Sequence, residues 1–154
     1  MMIPIPDQGI QSLEAASWSG NWAWGIPLIV VTVVIHVAGL GLIRRVTSRR
    51  NREASLLTVA GATLLICALH AGEATIWAVV YRWLQALPNF RIAVLYSLNA
   101  MTSYGHINFD LEPHWHLMGA LEALNGWLLF GLTTAFLLSL VNRIGVPQEE
   151  NSEA

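Results

Sequence analysis

Long apolar stretches separated by short polar segments are the main feature of this sequence. Three stretches are long enough to cross a bilayer, which takes about 20 mostly apolar residues in a helix. They cover residues 22–43, 56–80 with a continuation to 84, and 117–141. A shorter stretch, residues 90–101, allows about three helical turns, and Pro88 and Asn89 favour a helix start just before it. The pattern predicts an all-α integral membrane protein with three transmembrane helices and a short helix between the second and the third.

The polar segment that ends the short helix carries no charge. No charged residue occurs from Ile92 to Tyr104, and Thr102–Gly105 interrupts the apolar stretch. A re-entrant pore helix followed by a filter loop has this pattern, because the C-terminal end of a helix carries a partial negative charge that attracts cations. Gly105 permits the left-handed backbone that aims carbonyl groups inward. An ordinary outer loop with an interfacial helix is the alternative that these residues leave open.

Composition supports the membrane assignment. Hydrophobic residues make up 55% of the 154 residues and charged residues 12%, against about 25% charged in typical soluble domains. The net charge of −2 provides no global field for binding nucleic acid. Cys67 is the single cysteine and lies in an apolar stretch, so an intrachain disulfide is impossible and a buried thiol is expected.

Arginines determine the predicted orientation. All eight basic residues are arginine, and five fall in one loop: Arg44, Arg45, Arg49, Arg50 and Arg52. Because such loops stay cytoplasmic, we expect a multi-pass protein of the bacterial inner membrane with its N-terminus outside and its C-terminus inside. The first 25 residues contain neither Lys nor Arg, which argues against a cleaved signal peptide. Aromatic residues near the outer boundaries predict an interfacial belt: Trp22, Trp24, Trp77, Tyr81, Trp83 and Trp115.

Two acidic residues lie within the predicted spans, where a charge costs about 2.5–3.5 kcal/mol on insertion scales and marks function or internal pairing. Glu73 and Glu122 both fall in the outer halves of their spans. They could accept hydrogen bonds from Thr102, Ser103 or Tyr104 and support the loop. A helix–helix hydrogen bond is the alternative for each.

Histidines raise the question of a metal site. His70 and Glu73 are three residues apart and share a helix face with Cys67. His36 lies about seven residues from the inner boundary and His70 about fourteen, a difference in depth of roughly 10 Å. A shared metal or heme is therefore not expected, and a neutral His70 bonded to Glu73 is the simpler prediction.

Three further histidines lie outside the spans. His114 and His116 flank Trp115 at the outer boundary and are expected to be surface residues. His106 follows the Tyr-Gly pair. Four copies of His106 around one axis could bind a transition metal or respond to external pH.

The order of span, short helix, Tyr-Gly turn and span resembles the pore domain of the tetrameric potassium-channel superfamily. It is most similar to small prokaryotic two-helix pore modules. Where that family has a Thr-Val-Gly-Tyr-Gly-Asp filter, this chain has residues 101–106, Met-Thr-Ser-Tyr-Gly-His. In the third span, Glu122, Gly126 and Ala135 match the outer Glu, the hinge Gly and the small residue of the family's inner helix. The resemblance covers residues 56–141.

The resemblance implies a homotetrameric cation channel rather than an enzyme. Its permeant ligands would be monovalent cations, with no other cofactor, no resident metal, no nucleic acid and no soluble ligand domain. Met101 and Ser103 stand where the family has Thr and Gly, and a left-handed backbone is disfavoured for Ser, so we expect potassium or weakly selective conduction. The implied site residues are as follows: the filter Thr102, Ser103, Tyr104 and Gly105; the filter-supporting Glu73, Glu122 and Asn99; the outer-mouth His106; and the gating hinge Gly126.

Four regions follow from these assignments. They are an N-terminal periplasmic or interfacial segment (1–21), a peripheral transmembrane helix with its Arg-rich loop (22–54), the pore-like domain (55–142) and a cytoplasmic tail (143–154). Within the first region, residues 7–17 predict either a short interfacial helix or a disordered arm. Two other functions stay open: a non-conducting channel-like sensor or partner subunit, and a membrane redox subunit that binds metal or heme through His36, His70 and Glu73.

Overall fold

Four α-helices and one 3₁₀ turn make up the part of the chain that the structure describes. The computed structural model describes the backbone of residues 7–50, 56–105 and 110–142, and side chains within residues 18–47, 56–105 and 110–142. The elements are α1 (Asp7–Arg50), α2 (Leu56–Trp83), α3 (Phe90–Thr102), the 3₁₀ turn (Pro113–Trp115) and α4 (His116–Asn142).

Three of these helices are long and apolar enough to cross a membrane. The candidate spans are Trp18–Thr47, Leu56–Trp83 and Pro113–Asn142. They confirm the predicted all-α class and three helices of spanning length, and they are compatible with a multi-pass membrane protein. Residues 7–17 are helical and continuous with the first span, so they form neither a separate interfacial helix nor a disordered arm.

Helix α3 begins and ends with local signals that the sequence carries. The Asn89 side chain accepts a hydrogen bond from the Ile92 N–H (2.9 Å), a standard N-cap that satisfies one free donor of the first turn. At the other end the Ser103 N–H bonds the Ala100 carbonyl and the Tyr104 N–H bonds the Asn99 carbonyl, both at 3.0 Å. This pair of bonds is a Schellman motif. The prediction of a short helix over residues 90–101 is therefore confirmed.

Helix α3 packs between α2 and α4, and α1 packs along α4 and α2. The largest buried cluster lies around α3 and includes Trp77, Tyr81 and Tyr96. Trp77 and Tyr81 are completely buried, so the prediction that they belong to the aromatic belt is wrong. They face α3 instead of lipid, because α3 covers this side of α2. Trp22, Trp24 and Trp83 are exposed, as a belt requires.

Glycines of α4 permit the close approach of α3. A Cβ atom on Gly126 would lie 2.2 Å from the Met101 carbonyl oxygen, and one on Gly119 would lie 2.2 Å from the Tyr96 hydroxyl. A Cβ on Gly131 or Gly61 would meet nothing within 4 Å. The sequence predicts that small residues bring the second and third spans together. The closest contacts of these α4 glycines are instead with α3.

Helix α1 is tied to α4 by buried amides. The Asn21 side chain donates to the His114 carbonyl (2.6 Å) and accepts from the Met118 N–H (2.8 Å). It therefore caps the first turn of α4 from another helix. Deeper in the bundle, the Asn125 amide donates to the Thr32 hydroxyl (2.8 Å). These bonds hold α1 in a defined register beside α4.

Candidate functional site

The turn that follows α3 contains the predicted filter residues and has an unusual backbone. Ser103 has a φ of 54° and Gly105 a φ of 93°. A positive φ is expected at Gly105 and is unfavourable at Ser103, yet both residues have a positive φ. The Ser103 Oγ accepts a hydrogen bond from the Trp127 indole N–H (2.9 Å). This bond and the Schellman motif offset the cost of a left-handed serine.

The end of α3 lies beside the middle of α4. Trp127, which bonds Ser103, is fourteen residues after Pro113 and fifteen before Asn142, the two ends of the candidate span. At 1.5 Å per residue, Trp127 is about 21 Å along the helix from Pro113. Residue 112 lies at the end of the bundle where α2 ends. There the Glu112 N–H contacts the carbonyl of Ala86, three residues after the end of α2 (3.4 Å).

The residues predicted to form the filter are exposed in the single chain. Thr102, Ser103, Tyr104 and Gly105 all have exposed side chains or backbone, and Tyr104 keeps 74% of its surface. The Thr102 hydroxyl donates to the Leu98 carbonyl of its own helix (2.7 Å). His106, the predicted outer-mouth residue, lies outside the described residues.

Glu122 lies where α2, α3 and α4 meet, near the end of α2 and the start of α4. Its carboxylate is completely buried and accepts a hydrogen bond from the Tyr81 hydroxyl (2.8 Å). Ser97 of α3 lies beside the same carboxylate, and the Tyr96 ring packs edge-on against Tyr81, with centroids 5.5 Å apart. Glu122 therefore lies beside the body of α3 and not beside the exposed turn. Asn99 contacts that turn through its backbone carbonyl.

Glu73 lies in a second polar cluster, which we call the histidine cluster: His36, His70, Glu73 and Thr133. His36 Nδ1 lies 3.0 Å from Glu73 Oε1, and His70 Nδ1 lies 3.4 Å from Glu73 Oε2. The two Nε2 atoms both lie 3.1 Å from the Thr133 Oγ1. The imidazole centroids are 4.9 Å apart. The four side chains close a ring that joins α1, α2 and α4.

This cluster overturns the sequence argument that His36 and His70 lie at different depths. That argument counted His36 from an inner boundary at residue 43, whereas α1 continues to Arg50. His36 is fourteen residues before Arg50, and His70 is fourteen residues after Leu56, the first residue of α2. The apolar boundary was not the helix end, because the last turns of α1 carry arginines. The predicted contact between His70 and Glu73 is present.

A groove of about 500 Å³ lies between the histidine cluster and the end of α3. His70, Thr102, Ser103 and Trp127 are among its lining residues. Cys67 also lines the groove and is exposed, so the expectation of a buried thiol is wrong. The periodicity of α2 places Cys67 on the face of His70, and that face borders the groove.

Thr133 is the member of the cluster that the sequence analysis missed. A threonine in an apolar span is weak evidence, because its hydroxyl ordinarily bonds the carbonyl four residues earlier. Thr134 does this, donating to Phe130 (2.8 Å). Thr133 differs only because the helix packing brings two imidazoles to it. His114 and His116 are exposed, as predicted.

Comparison with known proteins produced no match: no protein-family model, no curated protein and no solved structure corresponds to this chain.

Proposed function

We propose that this chain is one subunit of a homotetrameric pore for monovalent cations. In this proposal α3 is a re-entrant pore helix, residues 102–105 form the filter, and α4 is the inner helix. The single observation that carries it is the position of the end of α3. The hydrogen bond between Trp127 and Ser103 puts that end beside the middle of α4, about 21 Å from Pro113.

The chain length after α3 fits a segment that enters the membrane and returns. Between Gly105 and Pro113 an extended backbone can reach about 26 Å, enough to return from the level of Trp127 to the start of the candidate span. Pore helices place their C-terminal ends inside the membrane, where the free carbonyl groups attract cations. Ser103 and Gly105, with positive φ, turn the chain at this point.

Exposure of the turn supports an oligomer. Polar backbone at membrane depth must be buried in protein or line water, and residues 102–105 are exposed in one chain. Further copies of the chain would satisfy this requirement by surrounding an aqueous axis with four such turns. The number four comes from the resemblance to tetrameric potassium channels. Ser103 and Met101 in the filter favour weak selectivity among monovalent cations.

Glu122 and Gly126 have defined places in this proposal. Glu122 accepts a hydrogen bond from Tyr81 of α2, and the Tyr81 ring packs edge-on against Tyr96 of α3, so Glu122 supports α3 indirectly. Gly126 leaves room for Met101, so it is required for the seat of α3 and is also the candidate hinge of α4. Glu73, whose recorded contacts are with His36 and His70, would act below the filter rather than on it.

Ion flux into liposomes tests the proposal. A variant with Cys67→Ser is first reconstituted, and uptake of potassium, rubidium and sodium is measured. Thr102→Cys in this background should then lose flux on treatment with a cationic thiol reagent, because the reagent would enter the pore. Leu64→Cys, at an exposed position of α2, is the matched control and should keep its flux.

Two outcomes would reject conduction. Absence of flux for all three ions, with the protein tetrameric by mass in detergent, would leave a channel-like sensor or partner subunit. A monomeric mass would remove the pore itself, since one chain supplies one turn.

A further inference from the structure

The histidine cluster brings three candidate metal-ligand groups together, and an ionised Glu73 leaves its contacts one proton short. The same nitrogen of both imidazoles, Nδ1, faces Glu73, and the same nitrogen, Nε2, faces Thr133. A neutral imidazole carries one proton, on either nitrogen. With Glu73 ionised and both imidazoles neutral, the four contacts have three protons, one from each imidazole and one from the Thr133 hydroxyl. One contact therefore lacks a donor, and either a fourth proton or a metal ion can complete the cluster.

From this geometry we infer that His36, His70 and Glu73 bind a divalent transition-metal ion, with Zn²⁺ as the best match. A dication among the two Nδ1 atoms and the carboxylate would meet all three lone-pair donors at once. The candidate ligand atoms lie within 4.8 Å of one another, which a centre with bonds of about 2.0–2.2 Å can bridge with small side-chain movements. Two imidazoles and one carboxylate form a common zinc ligand set.

Thr133 supplies the surroundings that metal-bound histidines require. A ligating histidine normally donates its other ring N–H to an acceptor, which fixes the ring orientation. Here the Thr133 Oγ1 lies 3.1 Å from both Nε2 atoms and can accept from both. One residue of α4 would thus orient two ligands that come from α1 and α2.

Burial and access also fit a bound ion. Glu73 and His36 are completely buried, and Glu73 pairs with the two histidines. An ionised carboxylate inside a membrane span is stabilised by a partner of opposite charge, which the ion would provide. The His70 side chain keeps 27% of its surface and borders the groove. The groove gives an ion a path to His70 from the surface.

The site does not depend on the proposed pore. Thr133 is six residues beyond Trp127, the residue that bonds the end of α3. The metal site therefore lies about 9 Å further along α4 than that end. Conduction could fail while the metal site stands, and the reverse is equally possible. Metal binding is therefore measured without reference to ion flux.

The test uses the full chain, purified in detergent without a histidine tag. The background variant His106→Gln, His114→Gln, His116→Gln leaves His36 and His70 as the two remaining histidines of the five in the chain. After chelation and dialysis against Zn²⁺, this variant should hold one zinc per chain. With Co²⁺ it should show the visible absorption bands of a low-coordinate nitrogen–oxygen site.

Adding His36→Gln or His70→Gln to this background should remove the zinc and the cobalt bands, with helix content checked by circular dichroism. Should these variants fail to fold, Thr133→Val provides the second measurement and should weaken zinc binding about 10- to 100-fold. Substoichiometric zinc and absent cobalt bands in the folded background protein would overturn the inference. The cluster would then be a ring of four hydrogen bonds that shares one additional proton among Glu73 and the two histidines.

Discussion

Two buried carboxylates among the described residues, Glu122 near the start of α4 and Glu73 near the middle of the bundle, have opposite surroundings. Glu122 meets a phenol and a serine hydroxyl amid aromatic rings. Glu73 meets two imidazoles. Hydroxyl groups stabilise a carboxyl group by hydrogen bonding, whereas imidazoles can also share a metal ion with it. Two acidic residues with the same sequence signature thus have different partners, and in our proposal only Glu73 binds a metal ion.

The sharpest test of this contrast compares Glu73→Gln with Glu122→Gln. An amide keeps the size of the side chain but is a poor zinc ligand. Glu73→Gln should lower zinc affinity at least about 100-fold, a change of about 2.7 kcal/mol, as measured by equilibrium dialysis. Glu122→Gln should leave zinc affinity unchanged. Equal losses in the two variants would show that the contrast between the two regions is wrong.

Two buried threonines separate hydrogen bonds that orient the proposed metal ligands from hydrogen bonds that only join helices. Each is tested by removing its hydroxyl group. Thr133→Val should weaken zinc binding about 10- to 100-fold, because the two ligating rings lose their common acceptor. Thr32→Val removes the partner of Asn125 but touches neither histidine, so zinc binding should not change. Its cost should appear as about 1–3 kcal/mol in the free energy of unfolding, since the Asn125 amide is left buried without an acceptor.

Two glycines of α4 test whether the helix is tightly packed where it contacts α3 and open in its C-terminal half. Gly126→Ala should lower the free energy of unfolding by about 1–3 kcal/mol, because the new Cβ would fall on the Met101 backbone. Gly131→Ala meets nothing within 4 Å and should be neutral or raise stability by up to about 1 kcal/mol. Thermal unfolding in detergent measures both. A stable Gly126→Ala protein would contradict the close contact of α3 with α4.

The smallest expected change in stability concerns the residues with a left-handed backbone that follow α2 and α3. Gln85, after α2, has a φ of 56°, close to the 54° of Ser103. Gln85→Gly should raise stability by up to about 1 kcal/mol, because glycine adopts this backbone without a steric penalty. Ser103→Gly gains the same term but loses the bond to Trp127, worth about 0.5–1.5 kcal/mol, so its net change should be smaller. A larger gain for Ser103→Gly would show that the bond to Trp127 contributes nothing.

Contacts between residues close in sequence were largely predictable. Contacts between different helices were hardly predictable at all. The cap at Asn89, the end of α3 near Thr102 and the contact between His70 and Glu73 depend on residues that are close in sequence, and each was predicted. The position of His36 beside them was predicted wrongly, because apolar boundaries mark where a helix could enter lipid and not where it ends. Trp77 and Tyr81 have the sequence features of interfacial residues, yet α3 buries them.

The sequence by itself determined that this protein is helical, that three helices can cross a membrane and that a short capped helix lies between the last two. Length, hydropathy and capping are local quantities, and each is readable from consecutive residues. Only the tertiary structure decided that α3 ends beside the middle of α4, that Glu122 bonds Tyr81, and that Glu73 lies between two histidines with Thr133 behind them. These contacts depend on how far each helix extends and how it is rotated against its neighbours. Packing of large and small side chains sets this rotation, and it joins residues that lie up to 97 positions apart.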